Sequence, residues 1–99
     1  MVRVLGLCGS ACTLVTVRIP KDRLCFGERA SLAFHHVRKS YTDDTPALEH
    51  TKWMIDRYPA DIRGWIVAHG GLERMPSGDR YWTLPAKELW EMGYRKCND

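Results

Sequence analysis

No run of about 18 apolar residues occurs in the 99-residue sequence, so no helical membrane span is expected. Basic residues are scattered rather than gathered. Fifteen Lys and Arg against twelve Asp and Glu leave a net charge of +3, with no basic stripe or docking motif, so nucleic acid is not an expected partner. The four cysteines include no CxxC pair. That leaves only a weak case for zinc on Cys8, Cys12, Cys25 and the His35-His36 pair, and no metal or other cofactor is expected. "VLGLC", ahead of Cys8, lacks the apolar stretch of roughly 7–15 residues that a secretory signal needs. Repeats, low-complexity segments and linkers are also missing. At this length the expectation is one small domain, residues 1–99, with a modest core.

What is present is an ordinary globular composition, 44% hydrophobic and 27% charged. Val2 to Leu7 predicts a short aliphatic strand closed by a glycine turn; from Gly9 or Ser10 to about Val17 periodicity alone does not assign helix or strand, and a strand, tight turn and helix is one arrangement. After a turn at Pro20-Lys21-Asp22, "RLCF" and "SLAFHH" predict two short strands around Gly27-Glu28. Thr45 as N-cap, Pro46 at the first helical position and Glu49 in the first turn predict a helix start. Leu48, Met54, Ile55 and Tyr58 would supply its apolar face. A second helix follows Pro59, with Ile62, Trp65, Ile66 and His69 at helical spacing and Gly70-Gly71 as its stop. "RYWTL" predicts a strand, and Pro85 opens a short helix ended by Gly93. Short strands alternating with helices point to an α/β fold.

Four cysteines in a short chain fit two disulfides, for which three pairings exist, or free buried thiols. The count does not choose between them.

"LCGSACTLV" raises the chemical question, because it sets Ser10 between two cysteines in a small-residue turn, which a strand, tight turn and helix would make a strand-to-helix turn. A serine nucleophile needs an adjacent base, an acid to orient that base, and donors for the oxyanion. At such a turn the hydroxyl is exposed, the flanking amides are available, and the helix dipole favours developing negative charge. Taken singly, Ser10 reads as a helix cap, His35 or His36 as a strand-end histidine, and Asp79 as a turn residue after "SG".

Their order along the chain carries more. "GLCGSACTLV", "KDRLCFGERASLAFHH" and "GDRYWTLPAKELWEMGY" resemble, in sequence order, three segments of the ClpP-like serine peptidases of the ClpP/crotonase fold. In that family a small-residue turn carries the nucleophilic serine, a strand-turn-strand ends in the catalytic histidine, and a segment of Asp, Arg and an aromatic residue precedes a short helix. The resemblance runs from about Val4 to Gly93 and looks closest to an exported branch with a cysteine on each side of the serine. It implies Ser10 as nucleophile, His35 rather than His36 as general base, Asp79 as the orienting acid, and the Ala11 N–H as an oxyanion donor. The implied activity is hydrolysis of a peptide or protein substrate, in a fold that forms rings or trimers of like copies.

The family's second oxyanion donor lies on a glycine-rich loop well upstream, whereas nine residues precede Ser10 here. The expectation is therefore an amino-terminally truncated, partial ClpP/crotonase-like fold lacking the first βα units, with catalysis impaired or lost. A longer precursor would be exported or periplasmic, with Cys8 or Cys12 pairing with Cys25; a chain starting at Met1 would be cytoplasmic with reduced thiols. The alternative from another class is a non-catalytic interaction or assembly module, in which Trp53, Trp65, Trp82 and Trp90 help to form an exposed apolar face.

Overall fold

Leu5-Gly6 and Gly27–Ala30 interrupt two aliphatic runs, and these interruptions set the strand pattern. In the computed structural model, which describes residues 1–40 and 42–98 and all their side chains except that of Asp44, the predicted strand at Val2–Leu7 is two strands, β1 (Val2–Val4) and β2 (Leu7–Gly9). The second run likewise splits into β3 (Leu24–Phe26) and β4 (Ser31–Phe34). These two do not close a hairpin on each other. β1 runs parallel to β3 and β2 parallel to β4, with the partner offset growing from 22 residues (Val2 to Leu24) to 24 (Leu7 to Ser31). The Gly27–Ala30 turn absorbs the extra residues, tied by the Gly27 amide to the Val4 carbonyl at 2.9 Å and the Ser31 amide to the Gly6 carbonyl at 3.2 Å.

The fold is mixed α/β with short strands and helices, and the chain forms two compact units, Met1–Ala33 with the chain from Thr83 onward, and Phe34–Trp82. In the first unit, β8 (Arg95–Lys96) runs parallel to β3, and the strand orders are β1-β3-β8 and β2-β4-β7, with β7 at Trp82–Pro85. A one-turn helix α1 (Val15–Arg18) and α5 (Ala86–Glu91) complete this unit. Leu24, Phe26, Leu32, Leu84 and Leu89 are fully buried, and Tyr94 meets Phe26 edge-to-face at 5.3 Å. Burial on this scale is the main favourable term available to so small a unit. Gly93 ends α5 at φ 98°, a conformation that strains any residue with a Cβ. The two-residue β8 that follows carries no pattern from which sequence could foresee it.

The second unit holds an antiparallel pair, β5 (Arg38–Ser40) and β6 (Asp43–Pro46), then α2 (Leu48–Arg57), α3 (Ala60–Ala68) and α4 (Gly71–Arg74). The predicted N-cap at Thr45 does not form. Thr45 instead donates its amide, at 3.0 Å, and its hydroxyl to the Asp43 carboxylate inside β6, and Ala47 becomes the N-cap. A local Asp–Thr bond competes with capping by the same groups, and here it wins. α2 buries Thr51 and Ile55, and Tyr58 at its C-cap is buried too, whereas Leu48 is exposed. α3 forms as predicted, with Ile62 and Ile66 buried, although His69 is exposed. Gly70, at φ 121°, stops it, and Gly71, expected as part of that stop, instead starts α4. Phe34 packs on Tyr58 and Trp65, at ring separations of 5.4 and 5.7 Å. Among the described residues no helix is long and apolar enough to cross a membrane.

Candidate functional site

Ser10 follows β2 directly and opens a 3-10 turn, Ser10–Leu14. Its φ is 52°, which makes it the one non-glycine residue in the left-handed region among the described residues. That conformation costs an L-residue about 1–2 kcal/mol, so the surrounding structure must impose it. Two local restraints do so. The Cys8–Cys12 disulfide closes a ring around Ser10 with a Cα separation of 5.2 Å, and the Thr13 hydroxyl donates to the Ser10 carbonyl. The capping role expected of an isolated serine is not the one it takes: Gly9 is the N-cap, and no side-chain cap bond forms. Ser10 is half-buried, and its hydroxyl makes no hydrogen bond among the described residues. Ala11 lies in the first turn, where backbone amides have no intrahelical acceptor.

The two histidines at the end of β4 differ in kind. His36 is buried, with Nε2 3.0 Å from the Leu72 carbonyl and Nδ1 3.2 Å from the Thr51 hydroxyl. A carbonyl only accepts, so Nε2 carries a proton, and in the neutral ring Nδ1 shares the Thr51 hydroxyl proton with the Ala47 carbonyl. Both ring nitrogens are occupied, which makes this histidine a structural one. His35 is half-buried, and its Nδ1 lies 3.0 Å from the Gly78 carbonyl. By the same reasoning Nδ1 is protonated, which leaves the Nε2 lone pair of the neutral ring unused among the described residues. The Tyr81 ring lies over His35 with centroids 4.4 Å apart and planes inclined by 31°.

The second unit therefore brings His35 together with the segment that carries Asp79, across 43 residues of sequence. The contact is made by the carbonyl of Gly78 and the ring of Tyr81. The Asp79 side chain is exposed and makes no hydrogen bond or ion pair among the described residues. Ser10 belongs to the first unit. Sequence reasoning missed Gly78 because a backbone carbonyl carries no residue-type signal; the aromatic residue two places after Asp79 was visible but unassigned.

The expected pairing of Cys8 or Cys12 with Cys25 is also not the one found. The disulfides are Cys8–Cys12 and Cys25–Cys97, the latter with a Cα separation of 5.0 Å. The parallel pairing of β3 with β8 sets Cys97 beside Cys25, and the Cys97 amide donates to the Phe26 carbonyl at 3.1 Å. A zinc site on the cysteines would need free thiolates, and every cysteine is in a disulfide. Among the described residues no three His, Cys, Asp or Glu side chains are grouped to hold a metal.

No family model, curated protein or solved structure matches this chain.

Proposed function

We propose that this chain is a ClpP-like serine hydrolase of the ClpP/crotonase fold, acting on peptide bonds, with Ser10 as the nucleophile and His35 as the general base. The observation that carries the reading is Ser10 itself: a non-glycine residue held at φ 52° on a strand-to-helix turn, with an unengaged hydroxyl. Strain of this kind concentrates at sites where a side chain must be presented rather than packed. His35, with Nδ1 occupied and Nε2 open, has the tautomer a general base requires. The Ala11 N–H serves as one oxyanion donor. The resemblance implies Asp79 as the third member, and its segment supplies the contact to His35. Two disulfides favour an exported, periplasmic setting.

The test is labelling with a fluorophosphonate probe. Native protein labels, Ser10→Ala does not, and His35→Gln labels about a hundredfold more slowly, the scale of a lost general base. Equal labelling of native protein and Ser10→Ala, or of neither, rejects the reading.

A second reading, an interaction or assembly module, is favoured by Leu5 and Leu7, which are 53% and 70% exposed at the β1–β2 bend. It requires concentration-dependent self-association or partner binding that Leu7→Glu abolishes, with no labelling at Ser10.

A further inference from the structure

A serine-type mechanism needs something to fix the tautomer and the plane of the basic imidazole, and the expected group was the Asp79 carboxylate. The geometry points to a different arrangement: we propose that the Gly78 main-chain carbonyl and the Tyr81 ring position His35, and that Asp79 does not. This rests on the hydrolase reading for its function, but its structural content can be measured without catalysis.

The bond chemistry decides the first half. The Gly78 oxygen lies 3.0 Å from His35 Nδ1 and offers only lone pairs, so Nδ1 must carry a hydrogen in both the neutral and the protonated ring. A carbonyl thus selects the Nδ1–H tautomer as a carboxylate would, without placing a full charge beside the ring. Gly78 stands at φ 69°, in the left-handed region open to glycine at little cost. A side chain there would be strained, so the residue type and the direction of its carbonyl are linked. The turn is closed by the Arg80 amide to the Ser77 carbonyl at 3.4 Å.

Tyr81 supplies the second half. Its ring overlies His35 at 4.4 Å, and this contact restricts rotation of the imidazole about the bond that the Gly78 carbonyl holds at one edge. The ring, not the hydroxyl, makes the contact. Tyr81 is 43% exposed. Asp79, between these two residues, turns its carboxylate to solvent. Tyr81 is accordingly a positioning residue.

The experiment combines 15N spectra of the histidine rings with probe labelling. At a pH where His35 is neutral, its Nδ1 is the protonated nitrogen, and it stays so in Asp79→Asn. Tyr81→Phe labels Ser10 at the native rate, whereas Tyr81→Leu labels on the order of tenfold to a hundredfold more slowly, as small misplacements of a catalytic group do. Circular dichroism of each variant verifies folding. An Nε2–H tautomer in native protein overturns the proposal, as does loss of the Nδ1–H signal in folded Asp79→Asn. So does a Tyr81→Leu protein that labels like Tyr81→Phe. If no variant labels while the Nδ1–H tautomer persists in Asp79→Asn, the hydrolase reading falls and the assignment of the orienting group to Gly78 stands.

Discussion

Cys25 and Cys97 are joined across 72 residues of sequence, and their bond fastens β8, a strand of two residues, to β3. Cys8 and Cys12 are joined across only four. The cost of closing a loop in the unfolded chain rises with its length, so the two bonds differ in worth: about 4 kcal/mol for the long loop and about 2 for the short one in the chain-entropy account. Urea denaturation of Cys25→Ala/Cys97→Ala is expected to show the larger loss, against a smaller one for Cys8→Ala/Cys12→Ala. Equal losses would count against the loop-entropy explanation and in favour of strain or packing at the two sites.

The short disulfide and the serine it brackets lead to a second prediction. Glycine adopts φ 52° without the Cβ penalty that Ser10 bears, and the Ser10 hydroxyl makes no hydrogen bond that would be missed. Ser10→Gly is therefore expected to be about 1 kcal/mol more stable than Ser10→Ala in thermal or urea unfolding, while neither labels with a fluorophosphonate. If Ser10→Gly is no more stable than Ser10→Ala, the backbone at Ser10 is not strained.

How far the sequence led can be judged element by element. The Ile62–Ile66 face of α3, and α5 from Pro85 to Gly93, followed from helical spacing and flanking Pro and Gly, because those signals are local. The start of α2 did not follow, because Thr45 had two competing local partners and bonded Asp43 instead of capping. β8 and the Cys25–Cys97 pairing depend on a contact across most of the chain, which no window of residues encodes. At the candidate site, the segments carrying Ser10 and His35 could be picked out by residue type, but the left-handed backbone of Ser10 could not. Nor could the Gly78 carbonyl, since every residue has one.

Asp43 gives a pH-dependent test. The Thr45 hydroxyl and then the Thr45 amide, with a smaller contribution from the Lys39 charge, hold its carboxyl below the ordinary carboxylate range, against a slight opposing effect of burial. A group whose folded-state pKa is depressed adds stability that is present above its unfolded pKa and is lost as the pH falls through the folded one. The β5–β6 pair should accordingly loosen on acidification below the ordinary aspartate range rather than near neutrality. An NMR titration of the Asp43 carboxyl reads this directly: Thr45→Ala should raise its midpoint toward the ordinary value, and Lys39→Met should raise it by less. An unmoved midpoint in Thr45→Ala would remove the Thr45 bonds as the cause.

His36 is buried, with both ring nitrogens engaged by the second unit's own groups. The Thr51 hydroxyl accepts the Val37 amide at 3.0 Å and shares its own proton between His36 Nδ1, at 3.2 Å, and the Ala47 carbonyl, at 2.9 Å. Thr51 and His36 are both buried, so water does not replace a missing partner without cost. Thr51→Val keeps the shape but strands the Val37 amide and His36 Nδ1, and a buried unsatisfied group costs about 1–3 kcal/mol. The loss in urea unfolding should therefore be about 2–3 kcal/mol, and Thr51→Ser, which keeps the hydroxyl and drops one methyl, should lose less. The ring signals discriminate further: in native protein neutral His36 carries its proton on Nε2 and His35 on Nδ1, opposite tautomers at adjacent positions. Thr51→Val should perturb the His36 signals and spare those of His35. If both histidines shift together, they belong to one coupled network, and the separation of the buried His36 from the half-buried His35 does not hold.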